Sequence, residues 1–169
     1  MNYFAYGSNL HPARLQQRTP SCRALGIARL PGFALRFHKR GRDGSGKGNA
    51  FHTGNPNDQV WGAIYSLAAE EKPRLDQAES LGQGYDVITQ SLVSSLGVVH
   101  DVFFYVADPA YIDDALWPYT WYKELVVRGA RKHRLASAYI EQIEQTSSID
   151  DPDATRHAAH CRILQTIAR

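Results

Sequence analysis

Two short stretches hold groups suited to chemistry. In the first, Tyr3-Phe4-Ala5-Tyr6-Gly7-Ser8-Asn9-Leu10, an uncharged aromatic run suited to a buried strand meets three strand-breaking residues. His11 and Pro12 follow, and Pro suits the first turn of a helix. A strand therefore runs straight into a tight turn and a helix start, where unpaired backbone N–H groups gather and bind anions. An ordinary strand–turn–helix junction has the same pattern, so the pattern alone does not make a site. The second stretch, Leu75-Asp76-Gln77-Ala78-Glu79, ends in a carboxylate that could take and return a proton. By residue type alone Glu79 is one of seventeen acidic residues, and a Glu at a helix end is ordinarily solvated.

The residue strings are more specific than their patterns. YFAYGSNL resembles the opening signature of the γ-glutamylcyclotransferase superfamily, whose Tyr-Gly-Ser-Asn loop lines the substrate cavity. The resemblance continues through Leu75-Asp76 and Glu79, then Gly82, Gly84 and Tyr85, and runs to about Tyr139. It implies that Glu79 is the general acid/base and that Tyr85 is the family's loop tyrosine. Many members have Gly directly after the Glu, where this chain has Ser80. Pro118-Tyr119-Thr120-Trp121-Tyr122-Lys123 is similar to the family's Pro-x-x-Tyr-Lys stretch and carries Tyr122 into the cavity wall. Tyr3, Phe4, Ala5, Tyr6, Gly7, Ser8 and Asn9 are the substrate loop on the same ground.

The reaction that the resemblance implies is intramolecular aminolysis. The α-amine of a γ-glutamyl group attacks its own γ-carbonyl, 5-oxoproline forms, and an amino acid or amine leaves. An ammonium cannot attack and an unprotonated amine leaves poorly, so one carboxylate can serve both proton transfers. Holding the chain folded turns orientation into rate. N–H groups of Tyr6 to Asn9 could hold the α-carboxylate or the developing oxyanion, and the sequence leaves both open. Glu79 is expected in a partly dry cavity. Two alternatives remain: an enzyme on γ-glutamylamines or on a biosynthetic γ-glutamyl intermediate, and a non-catalytic small-molecule binder on the same fold.

The elements that must position these residues are mostly strands early and helices late, which favours α+β over an alternating α/β order. Strands are predicted at Cys22–Leu30, Phe33–His38, Ala50–Thr53 and Val60–Ser66, with a hairpin of Tyr85–Ser94 and Val98–Val106. Lys39–Asn49 reads as a Gly-rich basic loop. Helices are predicted at Pro12–Gln17, within Ala69–Glu79, at Trp121–His133 capped by Thr120, and at Ala138–Gln145 capped by Ser137. A last helix starts near Asp151-Pro152 and ends near Ile167. The resemblance implies a small, strongly bent mixed sheet or barrel with helices around it. Residues 1–144 are read as that domain. Residues 145–169 are read as a helical extension on the same body, with a homodimer contact as the other use for it.

A chain of 169 residues with net charge +2 fits one globular domain, and its charge makes no case for nucleic acid or an anionic membrane. Two cysteines make no disulfide framework, and there is no signal peptide or apolar run of spanning length, so a reduced cytosol is expected. Gly41 to Gly48 imitates a phosphate-binding loop but ends in Gly48 where Ser or Thr should hold magnesium. Lys39, Arg40, Arg42 and Lys47 form a basic cluster that could favour an anionic substrate tail. His157 and His160, three apart beside Cys161, lack a further ligand, so surface histidines and no metal are expected. No cofactor is expected.

Overall fold

The computed structural model describes residues 1–166. Its first strand is its centre. β1 (Asn2–Ala5) lies antiparallel to β5 (Gln59–Ser66) and parallel to β7 (Val99–Ala107). The five-stranded order is β2-β5-β1-β7-β6, where β2 is Arg23–Pro31 and β6 is Tyr85–Val93. β6 and β7 form the expected hairpin. Because β1 is covered on both faces from Tyr3 on, Tyr3, Phe4 and Ala5 are all buried without polar alternation. Tyr3 and Ala5 enter one core, and Phe4 enters the other.

The two edges of this sheet meet. Ala28 of β2 bridges to Ser94 beyond β6, and Ser95 N–H donates to the Ile27 carbonyl at 2.8 Å. A bulge between Ala24 and Gly26 bends β2 towards that contact, and Gly26 adopts φ +143°. The sheet is therefore bent almost to a barrel, as the fold expectation required.

β3 (Phe33–Arg40) and β4 (Gly46–His52) form a separate two-stranded sheet. Here the sequence reading needs correction. Most of Lys39–Asn49 is strand, and only residues 41–45 turn. Glycines permit this because β4 passes close to other backbone: a Cβ on Gly46 would lie 2.0 Å from the Phe37 carbonyl oxygen.

The helices are α1 (Pro12–Arg18), α2 (Lys72–Glu79), α3 (Thr120–Lys132), α4 (Ser137–Glu144) and α5 (Ala154–Gln165). Neither Thr120 nor Ser137 caps its helix. Tyr119 and Ala136 occupy the cap positions without side-chain bonds, and Thr120 Oγ1 instead donates to Asp150. The last helix starts later than expected, with Asp153 accepting from Arg156 N–H, and ends at Gln165. The expected end, Ile167, lies outside the described residues. Asp151 ties the start of α5 to α3, accepting from Trp121 Nε1 at 2.8 Å and from Arg156. No described helix is long and apolar enough to cross a membrane.

Candidate active site

α3 carries a glycine where the N-terminal loop crosses it. A Cβ on Gly129 would stand 2.6 Å from the Leu10 carbonyl carbon and 2.7 Å from His11 N. With only hydrogen there, the chain after β1 can lie directly on α3. It turns at Gly7, makes one 3-10 turn at Ser8–Leu10, and enters α1 at Pro12. Among the described residues, the N–H groups of Gly7, Ser8 and Asn9 meet no acceptor.

This loop, α2, β4, β6 and α3 converge on a small chamber. Its lining includes Tyr3, Tyr6, Gly7, Ser8, Asn9, Glu79, Tyr85 and Tyr122. Phe4 and Ala5, expected in the substrate loop, do not line it. Phe4 points to the opposite face of β1, and Ala5 is sealed in the larger core. The sequence reading missed two further lining residues, Gly48 and Tyr105.

Glu79 is the chamber's carboxylate, with its side chain 17% exposed. Its Oε1 accepts from Asn9 Nδ2 at 2.9 Å and from Arg18 Nη1. Arg18 Nη1 also donates to Asn9 Oδ1 at 2.7 Å, and Asn9 Nδ2 reaches Tyr3 Oη at 3.0 Å. One carboxylate oxygen is thus fixed by two side chains that bond each other, with Tyr3 behind Asn9. The other, Oε2, receives no hydrogen bond among the described residues and is free for proton exchange. One turn earlier on α2, Asp76 accepts from Lys72 Nζ at 2.7 Å and from Tyr105 Oη at 2.6 Å, which anchors the helix.

The tyrosines hold the chamber's roof. Gly48 N–H donates to Tyr122 Oη at 2.9 Å, and Tyr85 Oη donates to the Gly48 carbonyl at 2.6 Å. Tyr6 Oη donates to the Tyr105 carbonyl. Burial raises the phenols of Tyr3, Tyr6, Tyr85 and Tyr122, and the nearby Glu79 carboxylate adds to the shift. All four are neutral hydroxyls at physiological pH. Among the described residues that line the chamber, Glu79 is the one carboxylate.

Outside it lies a vestibule of about 210 Å³, which shares Ser8, Glu79, Tyr85 and Tyr122 with the chamber. The Gly41–Gly48 segment edges this vestibule. Lys47 Nζ binds Asp43 Oδ2 at 2.7 Å and sits 4.8 Å from the Tyr122 ring centre. Burial pulls the Lys47 ammonium down to about 8, against the support of Asp43. His160 is not the surface histidine expected. It stacks on Trp121 at 3.6 Å between ring centres, and it lines the vestibule. Among the described residues no group of three His, Cys, Asp or Glu could hold a metal. A larger cavity, about 370 Å³, lies against α4, but among the described residues Asp58 is the only charged one in its lining.

A model of the AIG2-like family matches residues 59–143. The chain belongs to the AIG2-like family. The match takes in Glu79, Tyr85 and Tyr122, and leaves out α1 and α5. Over 149 residues the chain is 29% identical to human γ-glutamylcyclotransferase, covering 84% of this chain and 76% of that protein. Bovine γ-glutamylcyclotransferase is 27% identical over 154 residues, covering 88% and 79%. Among solved structures, a γ-glutamyl cyclotransferase aligns with a TM-score of 0.85 at 25% identity, covering 98% of this chain and 99% of that one. Membership does not by itself identify Arg18, which bonds Glu79, or Arg14, which lines the vestibule. Their spacing of four residues on one helix was the available signal, since it puts both on one face.

Proposed function

We propose that this member of the AIG2-like family is a γ-glutamylcyclotransferase, closing a γ-glutamyl group to 5-oxoproline with release of an amino acid or amine. The observation that carries the reading is the Glu79 carboxylate, fixed through Oε1 and free at Oε2, beside the loop of Gly7, Ser8 and Asn9.

Glu79 takes a proton from the substrate's α-ammonium. The freed amine attacks the γ-carbonyl carbon, a C–N bond forms, and the carbonyl electrons move to oxygen. Glu79 then returns the proton to the departing nitrogen as the carbonyl re-forms and the old C–N bond breaks, and the ring nitrogen gives its second proton to the released amine, which departs as an ammonium. The free N–H groups of Gly7, Ser8 and Asn9 suit an oxygen anion, which is either the α-carboxylate or the tetrahedral oxyanion. The neutral tyrosine hydroxyls add fixed dipoles without competing for the proton. The walls of the chamber and vestibule together would hold the flexible γ-glutamyl chain folded, which is where most of the rate would arise.

Assay of 5-oxoproline release from γ-glutamyl amino acids, γ-glutamylamines and glutathione tests the reading. Turnover of at least one class is expected. A folded protein that turns over none of them would overturn it and favour a binding role.

A further inference from the structure

The vestibule is more cationic than proton transfer at Glu79 requires. Five basic side chains line it against two carboxylates. Both carboxylates are already engaged, Glu79 by Arg18 and Asp43 by Lys47.

Arg14 is the cation that stands out. It is only 9% exposed, and its Nε has no hydrogen-bond partner. Among the described residues its one polar contact runs from Nη1 to His160 Nδ1 at 3.2 Å. Among the described residues no carboxylate pairs with it. A buried charge without a counter-ion is costly, so a fold that keeps one has an anion to meet. Burial and the neighbouring Arg18 charge both act against the Arg14 cation until such an anion arrives.

His160 makes Arg14 directional. Arginine can only donate, so His160 Nδ1 is the acceptor. The ring's stack on Trp121 fixes its orientation. Burial, with the charges of Arg14 and Lys47, pushes His160 down to about 4, so it stays a neutral acceptor at physiological pH. The guanidinium is therefore aimed, uncompensated and open to the cavity that leads to Glu79. Its planar fork matches a carboxylate.

Position decides which end of the substrate this serves. Arg14 lines the vestibule and not the inner chamber beside the Tyr6–Asn9 loop. We propose that Arg14, oriented by His160 of α5, binds an anionic group on the leaving portion of the substrate, selecting leaving groups that carry a carboxylate over simple amines. This rests on the γ-glutamyl reading above.

The test compares γ-glutamylalanine with γ-glutamylethylamine, which differ by that carboxylate alone. Wild type should favour γ-glutamylalanine by about ten- to a hundred-fold in kcat/KM, the worth of a charge-assisted hydrogen bond. In Arg14→Gln that ratio should collapse towards one, chiefly through KM for γ-glutamylalanine. Arg14→Lys should retain part of it, and His160→Gln should lower it. Equal loss on both substrates would assign Arg14 a purely structural role and overturn the proposal. Should Arg14→Gln not fold, the wild-type ratio decides, and no preference for γ-glutamylalanine overturns the proposal. Wild type inactive on both would overturn the γ-glutamyl reading itself, and the proposal with it.

Discussion

Asn9 Nδ2 donates to Glu79 Oε1 at 2.9 Å, joining the N-terminal loop to the end of α2 across seventy residues. The two sequence segments that looked chemically informative are thus one site. Arg18 closes the link by donating to both residues.

Arg18→Met tests that link. It removes the charge and both hydrogen bonds but keeps the aliphatic stem. The side chain is partly exposed, so the stability change should stay within about 1 kcal/mol. Glu79 loses its orientation, and kcat should fall about ten- to a hundred-fold. Steady-state kinetics beside a thermal melt measures both, and an unchanged kcat would contradict the assignment.

Ser80 accounts for the departure noted beside Glu79. It closes α2 at φ 59°, in the left-handed region where a Cβ is strained. Ser80→Gly should raise unfolding stability by about 1 kcal/mol. Equilibrium urea unfolding is the measurement, and a destabilised variant would contradict the strain argument.

Gly129→Ala should do the reverse. Its new Cβ would collide with the Leu10 and His11 backbone, at a cost of about 1–3 kcal/mol. The displaced loop carries Asn9, so kcat should fall together with the melting temperature. Wild-type activity in this variant would show that loop position does not matter.

His160 makes stability depend on acid. Its folded pKa of about 4 lies below the unfolded 6.5. As pH falls the unfolded chain therefore binds the proton first. This contribution is complete above 6.5 and is lost as pH falls from 6.5 towards 4. His11 and His133, also lowered by burial, act with the same sign. Between pH 7 and 5, His160→Gln should lose about 1 kcal/mol less than wild type, allowing for the partly exposed ring. Identical losses by urea unfolding would contradict it.

What was legible in the sequence divides along local and non-local lines. The β1 strand, the turn at Gly7, the helix ending at Glu79 and the β6–β7 hairpin are written in short-range patterns of aromatics, breakers and alternation. The Gly-rich segment misled, because its glycines serve strand β4 where it passes other backbone and not a free loop. Arg14, Arg18 and His160 were unreadable as a group for another reason. Their meaning lies in what faces them, and α5 meets α1 and α3 only in the folded chain. Phe4 and Ala5 belong to the motif string but serve the core, since alternate residues of a strand face opposite ways.

The most direct test of the central claim is 5-oxoproline release by Glu79→Gln beside wild type, with substrate binding measured in parallel. The amide keeps the side chain's shape and loses its basicity. The account predicts a folded variant that still binds the γ-glutamyl substrate, with kcat lower by about a hundred-fold or more. A folded Glu79→Gln protein with wild-type turnover would contradict it.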